Sequence, residues 1–160
     1  HMPGHGLSHV DTHHDLPVVD VSHEELTAVD FAPFRALNDL PMAMTAHLVF
    51  AALDGERPAT QSPRMVRVIR EEIGFKGLLI SDDLNMQALA GTLAERTART
   101  VAAGVDIALH CKGDMAEMVE VAGAAGVMGP EALVRAEAAV AARRPGSVDV
   151  AAALAELAHG

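Results

Sequence analysis

Two short stretches of this 160-residue sequence concentrate residue types that can move protons or act as nucleophiles. The first, residues 1–17, reads HMPGHGLSHVDTHHDLP and combines five histidines with glycines and prolines. It shows no apolar period, which predicts a loop. Within it, the spacing of Asp11 and His13 can place a carboxylate beside an imidazole. A carboxylate in that position orients the ring and raises its pKa, so the pair could transfer protons near neutral pH.

The second stretch, Ser81-Asp82-Asp83, directly follows an apolar run at 78–80. Two adjacent carboxylates at the end of a buried strand destabilise the fold unless they are hydrogen-bonded, because like charges repel and raise each other's pKa. Such a pair therefore indicates a structural hydrogen-bonding role or a role in chemistry. Side chains alternate along a strand, so one carboxylate can point into a site while the other faces away. We expect one of the pair to do chemistry and the other to cap the helix that follows.

Apolar runs and cap residues predict the elements that position these two stretches. Ser22 and Glu25 form a capping box that opens two short helical pieces, interrupted at Pro33. Ser62 and Pro63 open a longer helix that ends at Gly74. The other predicted elements are buried strands over 42–50, 78–80 and 105–111, and helices over 92–103, 114–122, 131–142 and 150–157.

Strands that alternate with helices imply an α/β fold whose parallel sheet is buried on both faces. A doubly wound sheet and a (β/α)8 barrel both fit this pattern. In both folds polar residues gather just after the strands, as they do at Asp82 and Asp83 and again at His110 and Cys111. Periodicity alone leaves the choice between the two folds open. No repeat or linker indicates a second domain.

Composition and charge argue against several classes of protein. A net charge of -10 and the lack of Trp and Tyr make nucleic acid an improbable partner. No apolar run reaches the roughly 18 residues of a membrane span, so no membrane is expected. The single cysteine, Cys111, is expected to be a buried small hydrophobe and fits a reducing, cytoplasmic compartment. No motif requires a cofactor or a resident metal.

The motifs together resemble the family 3 glycoside hydrolases, in particular the bacterial β-N-acetylglucosaminidases of cell-wall recycling. The matching segments are PGHG (3–6), DTH (11–13), LPVV (16–19), MTAH (44–47), GFKG (74–77), SDDLNM (81–86) and AGVD (103–106). The resemblance extends from the first residue to about the last strand. It implies that residues 1–160 are a partial catalytic domain, the C-terminal half of a (β/α)8 barrel without its N-terminal half.

This resemblance also implies a reaction. The family cleaves terminal β-linked N-acetylglucosamine from muropeptide or other cell-wall fragments, with retention, through a covalent glycosyl-enzyme. By the matching motifs, Asp82 would be the nucleophile, and His13, paired with Asp11, the general acid/base. The implied substrate-binding residues are His1, His5 and Met86.

Two residues outside these motifs carry weaker expectations. His47 lies within an apolar run, where a hydrogen-bonded core histidine is at least as probable as a ligand contact. Asp106 lies at the start of the strand predicted over 105–111 and is expected to anchor that end of the strand.

Two other functions remain open. His1, His5, His9 and His13 recur every four residues, and on a helix they could bind zinc together with Asp11, as in a metal-dependent hydrolase. Pro3, Gly4 and Gly6 argue against that helix.

Alternatively, the chain could be a non-catalytic fragment that completes a partner's barrel. A half-barrel leaves a sheet edge and apolar surface exposed, so we expect it to be inactive alone and to pair with a second copy or with the missing N-terminal half.

Overall fold

Helices and parallel strands alternate along most of the chain, as the sequence predicts. The computed structural model describes residues 1–8, 15–144, 146 and 149–159. The strands are β1 (Val18–Val19), β2 (Met42–Met44), β3 (Val49–Phe50), β4 (Leu78–Asp83) and β5 (Ile107–Leu109). The α-helices are α1 (His23–Ala28), α2 (Ala32–Ala36), α3 (Pro63–Arg67), α4 (Leu93–Ala102), α5 (Met115–Ala125), α6 (Pro130–Ala141) and α7 (Val150–His159). Within these described ranges, no helix has the length and apolar character to cross a membrane.

The order of the parallel strands favours a barrel over a doubly wound sheet. β2, β4 and β5 lie side by side in that order, and all are parallel. On the other side of β2, Met2 forms a parallel bridge with Thr45, and its N–H donates to the Met44 carbonyl at 2.7 Å. The segments of this sheet therefore follow one another in chain order, as in a (β/α)8 barrel, whereas a doubly wound sheet reverses its order at a switch point; β1 and β3 form a separate pair.

The prediction of a single strand over 42–50 is wrong, because this run contains two strands in different sheets. β2 pairs with β4, and Met42 lies opposite Leu78. β3 pairs instead with β1, with Val49 opposite Val18. Residues 45–50 are buried throughout, so hydrophobicity does not mark the point where the backbone changes partner.

The helix predicted from Ser62 to Gly74 is confirmed at both ends but is not uniform. The Ser62 hydroxyl accepts the Met65 N–H at 3.1 Å, and Gly74 adopts a positive φ of 81°. After α3, the segment Val68–Glu72 is a π-helical turn in which the Ile73 N–H donates to the Val68 carbonyl at 3.0 Å. Such a turn contains one residue more than an α-helical turn, and apolar spacing does not predict it.

The hydrophobic core joins the strands to the helices that precede and follow them. Its fully buried side chains include Phe31 and Phe50, whose ring centroids lie 6.4 Å apart. Other members are Leu26, Leu48, Met65, Ile69, Phe75, Leu79 and Val105. Each large side chain buried in this way contributes roughly 1.5–3 kcal/mol.

Asp106 anchors the beginning of β5, as the sequence predicts. Its side chain is 3% exposed and accepts hydrogen bonds from Arg70 at 2.7 Å and Arg135 at 2.8 Å. The Leu79 N–H donates to the same carboxylate at 2.9 Å. Asp106 therefore joins β5 to β4 and to helix α6, where Arg135 lies.

Candidate active site

Asp82 lies near the end of β4, and its two carboxylate oxygens differ in their contacts. Oδ1 accepts the Asp83 backbone N–H at 2.9 Å. Oδ2 lies 3.3 Å from Nε2 of His1, and the Asp82 side chain is 15% exposed. One oxygen is therefore fixed by the backbone, while the other is directed toward a neighbouring imidazole.

The Asp83 carboxylate serves the fold. Its Oδ1 accepts the backbone N–H groups of Asn85 and Cys111, both at 3.1 Å. These bonds close the turn after β4 and tie it to the end of β5. The expectation that one of the two aspartates caps the next helix is wrong, because α4 is capped by Thr92, which forms a reciprocal capping box with Glu95. The expected division of roles between the two carboxylates nevertheless fits these contacts.

Strand pairing brings His1 to Asp82. Met2 bridges Thr45, whose N–H donates to the Ile80 carbonyl at 2.8 Å, so the first residues lie two ladder steps from the end of β4. The rings of His1 and His5 meet edge to face with their centroids 5.6 Å apart. Two of the predicted substrate-binding residues therefore lie together beside the predicted nucleophile.

Met86, the third predicted substrate-binding residue, lies in the loop after β4. It is 8% exposed, and its N–H donates to the Asp83 carbonyl at 3.1 Å. The structure thus places Met86 next to the aspartates, but as a largely buried side chain. Its contact with a sugar stays a prediction.

Arg96 of α4 holds this loop and was not found from the sequence. Its guanidinium donates to the carbonyls of Leu84 at 2.9 Å, Met86 at 3.1 Å and Gly91 at 2.9 Å. Burial, followed by the nearby Arg99 charge, lowers the pKa of Arg96. No motif marks this residue, because its partners are backbone carbonyls, which any sequence can supply.

His47 is the hydrogen-bonded core histidine that its apolar surroundings favour. The side chain is fully buried, and Nε2 donates to the Asp83 carbonyl at 3.0 Å. Nδ1 lies 2.8 Å from the Thr60 hydroxyl. Burial lowers the pKa of His47, although the carbonyl of Asp83 and the charges of Asp82 and Asp83 oppose this shift.

Beyond β5, a cluster around Glu117 borders the site. The Glu117 carboxylate lies 2.8 Å from Nε2 of His110 and 2.5 Å from Nζ of Lys112, and it accepts from Nδ2 of Asn85 at 3.2 Å. Hydrogen bonds from Lys112 and His110 lower the pKa of Glu117. The cluster links α5 to the loop that follows the aspartates.

The expectation that Cys111 is a buried small hydrophobe is wrong. Cys111 is exposed, since the chain leaves the sheet after Leu109, and its backbone N–H binds Asp83. Partial desolvation and the negative charges of Asp83 and Asp82 raise the pKa of the thiol. The sulfur is therefore mainly a protonated thiol near neutral pH.

The other two predicted catalytic residues, Asp11 and His13, lie outside the described residues. Their distance from Asp82 stays a prediction. The hypothesis of a helix on which His1 and His5 share a face is wrong, because residues 1–8 form a bridge and turns. Within the described part of the chain, no three His, Cys, Asp or Glu side chains group as a possible metal site.

Comparison with known proteins gives consistent matches to one family. Residues 1–143 match the family model described as Glycosyl hydrolase family 3 N terminal domain. The Beta-hexosaminidase of Bordetella pertussis is 37% identical over 122 residues, which cover 73% of this chain and 34% of that protein. The Beta-hexosaminidase of Neisseria gonorrhoeae is 40% identical over 115 residues, which cover 69% of this chain and 32% of that protein. The chain thus spans about a third of the length of the curated relatives it matches.

Solved structures agree with these matches. Native NagZ from Neisseria gonorrhoeae has a TM-score of 0.75 at 32% identity, covering 98% of this chain and 45% of that one. NagZ from the same organism in complex with N-trifluoroacetyl-D-glucosamine has a TM-score of 0.74 at 34% identity, covering 87% and 41%. A family 3 β-N-acetylglucosaminidase from Paenibacillus sp. str. FPU-7 has a TM-score of 0.75 at 28% identity, covering 94% and 32%. The mixed α/β fold with parallel strands is therefore confirmed.

Proposed function

We propose, because this chain belongs to glycosyl hydrolase family 3, that it forms part of a retaining β-N-acetylhexosaminidase that releases terminal β-linked N-acetylglucosamine. The observation that carries this proposal is the Asp82 carboxylate, with one oxygen held by the Asp83 N–H and the other directed toward His1. The complex of the NagZ relative with an N-acylated glucosamine supports the choice of sugar.

In the first step, Oδ2 of Asp82 attacks the anomeric carbon while the bond from that carbon to the leaving oxygen breaks. Oδ1 is occupied by the Asp83 N–H, which supports Oδ2 as the attacking atom. His13 supplies the proton that the leaving oxygen takes up. An imidazole paired with Asp11 suits this role because its pKa starts near the working pH, whereas a carboxylic acid needs a larger shift.

In the second step, a water molecule attacks the same carbon and gives its proton to His13. The bond between the sugar and Asp82 breaks, and the carboxylate and the protonated imidazole are restored. The cycle consumes one water molecule and retains the configuration at the anomeric carbon. His1, at 3.3 Å from Oδ2, would stabilise the departing carboxylate.

The natural substrate that we propose is a muropeptide or a related cell-wall glycan, because the motifs resemble those of cell-wall recycling enzymes. We also propose a cytoplasmic location. Placement in the C-terminal half of the barrel likewise stays a prediction. Activity is proposed for the full-length gene product that carries this chain, because the chain covers about a third of its relatives.

The test uses that full-length protein, an aryl β-N-acetylglucosaminide and a fluorinated glycosyl inactivator that traps the covalent intermediate. Peptide mass spectrometry should find the label on Asp82, and Asp82→Ala should abolish both label and turnover. A label on Asp83, or turnover that survives Asp82→Ala, would overturn the assignment. Loss of turnover in a chelator would favour the metal-dependent alternative. Assays of this chain alone, and with an N-terminal half, address the non-catalytic alternative.

A further inference from the structure

The end of β4 carries Asp82 but lacks regular strand pairing on both sides. Toward β5 the register shifts between Ile80 and Asp83, which marks a bulge or irregularity. There the Leu109 N–H donates to the Ser81 hydroxyl at 2.9 Å, where a regular ladder would use a backbone carbonyl. Irregularities of this kind occur beside active sites because they re-aim a side chain, but they also leave the backbone less restrained.

On the other side of β4, the pairing with β2 ends before it reaches the aspartates. Met44 is the last residue of β2 and lies opposite Ile80. The Thr45 N–H still donates to the Ile80 carbonyl at 2.8 Å, but Asp83 itself is reached from this direction by a side-chain bond, the one from Nε2 of His47 to the Asp83 carbonyl at 3.0 Å. His47 therefore takes the place of a strand neighbour at the point where the ladder has stopped.

His47 is itself held by a buried hydroxyl, that of Thr60, which in turn contacts a second one. Nδ1 lies 2.8 Å from the Thr60 hydroxyl, which lies 2.8 Å from the Thr45 hydroxyl, and all three side chains are fully buried. A carbonyl can only accept, so Nε2 carries a hydrogen. The lowered pKa of His47 favours the neutral ring, whose Nδ1 then accepts from Thr60.

The Thr60 hydroxyl has one hydrogen and a second acceptor, the Ala46 carbonyl at 3.0 Å. With the hydrogen of the neutral ring on Nε2, Nδ1 can only accept, so the Thr60 hydrogen is shared between Nδ1 at 2.8 Å and the Ala46 carbonyl at 3.0 Å, and the Thr60 oxygen accepts from Thr45. Donation then runs in one direction, from Thr45 through Thr60 and His47 to the Asp83 carbonyl. This order favours the ring tautomer with its hydrogen on Nε2, which is the tautomer that can donate to the Asp83 carbonyl.

The backbone of Asp83 connects His47 to the Asp82 carboxylate. Its carbonyl accepts from Nε2 of His47 as well as from the Met86 N–H, and its own N–H binds Oδ1 of Asp82 at 2.9 Å. We infer that His47, with its tautomer set by Thr60 and Thr45, is a positioning residue that orients the Asp82 carboxylate for attack. This role rests on the proposed function, since it needs Asp82 to be the nucleophile.

The experiment measures two quantities in the full-length protein: the second-order rate of Asp82 labelling by the fluorinated inactivator, and the Kd for N-acetylglucosamine. His47→Leu removes the donor, whereas His47→Gln keeps an N–H at a similar reach. We expect His47→Leu to slow labelling roughly 10- to 100-fold, because small misplacements of a reacting group have effects of that size. His47→Gln should recover most of the rate. The Kd should change less than about twofold, because the sugar does not depend on this bond until the carboxylate attacks.

A matched pair at Thr60 tests the same chain without changing the histidine. Thr60→Val keeps the volume but removes the hydroxyl, and Thr60→Ser keeps the hydroxyl. Thr60→Val should slow labelling several-fold, and Thr60→Ser should stay near the wild-type rate. In the His47→Gln background, which lacks the Nδ1 acceptor, Thr60→Val should have little further effect.

Distinct outcomes separate the two proposals. If the wild type is labelled at Asp82 and the variants of His47 and Thr60 react at the same rate, the positioning role is wrong and the proposed function stands. Loss of sugar binding in parallel with the rate would also overturn it in favour of a purely structural role. If His47→Leu does not fold, the Thr60 pair decides. If the wild type is not labelled at Asp82, the proposed function fails and this role fails with it.

Discussion

The backbone N–H of Cys111 donates a 3.1 Å hydrogen bond to Oδ1 of Asp83, which ties the end of β5 to the end of β4. The same oxygen accepts the Asn85 N–H at 3.1 Å. The Asp83 carboxylate therefore accepts hydrogen bonds from backbone donors. The Asp82 carboxylate, one residue earlier, faces the imidazole of His1.

This contrast predicts opposite effects of truncating the two aspartates. Asp83→Ala should lower the free energy of unfolding by about 1–3 kcal/mol, because hydrogen bonds to a charged group contribute roughly 1.5–3 kcal/mol and these donors are only partly buried. Asp82→Ala should change stability by less than about 1 kcal/mol yet remove turnover. Denaturant unfolding of both variants checks this, and an equal loss of stability from each would contradict it.

The separation of the two aspartates follows from the sequence because alternation along a strand is a local rule. The prediction that one of these aspartates caps the next helix is wrong, because capping depends on where the helix begins. The predicted helix begins at residue 92, well beyond Asp83, and Thr92 takes the cap. A cap must lie directly before the first helical turn, so the loop after β4 keeps both aspartates from that role.

Non-local contacts explain what sequence reasoning missed. The run at 42–50 is evenly apolar, yet its two ends pair with different strands, β4 and β1. Thr60 lies in a short 3₁₀ turn with no motif, and it matters only because folding places its hydroxyl beside His47. Motif spacing therefore predicts which groups react, whereas the residues that hold Asp82 in place depend on tertiary structure.

The role of His13 predicts a dependence on the leaving group. His13→Ala should slow substrates with poor leaving groups by roughly 10²–10⁴-fold, because those need the proton, and should slow good leaving groups much less. Added azide should partly restore the second step by replacing the water nucleophile. His14→Ala, at the adjacent position in the sequence, is the matched control and should show no such split. Equal slowing of both substrate classes by His13→Ala would make His13 a binding or structural residue.

The lowered pKa of His47 predicts a pH-dependent stability. The unfolded histidine titrates near 6.5, so as the pH falls below about 6.5 the unfolded state takes up a proton before the folded state does. Stability is complete above that pH and declines as the pH falls toward the folded-state pKa. The slope contributed by this one group can reach about 1.4 kcal/mol per pH unit.

The charged groups that influence His47 are Asp82 and Asp83, which favour its protonated form, and Arg96, which opposes it. His47→Gln should remove this part of the pH dependence. Denaturant unfolding of wild type and variant between pH 5 and 8 measures the difference. An unchanged slope would show that the histidine titrates alike in the folded and unfolded states.

Asp106 provides the last prediction, at the start of the strand whose other end meets the site. Burial lowers the pKa of Arg70, and the Arg135 charge acts in the same direction, while Asp106 opposes both. Asp106→Asn keeps the shape but leaves Arg70 without its counter-charge and Arg135 with only the exposed Glu131.

Breaking a buried ion pair by removing one partner costs about 3–5 kcal/mol, and we expect a loss of that order in the free energy of unfolding. The control is Glu131→Gln, because Glu131 is 84% exposed and its 3.0 Å pair with Arg135 is worth only about 0.3–0.5 kcal/mol. Adding Arg135→Met to Asp106→Asn should restore part of the stability, since it removes the Arg135 charge that acts on Arg70. Equal losses from Asp106→Asn and Glu131→Gln, or a further loss in the double variant, would show that the network does not depend on charge balance.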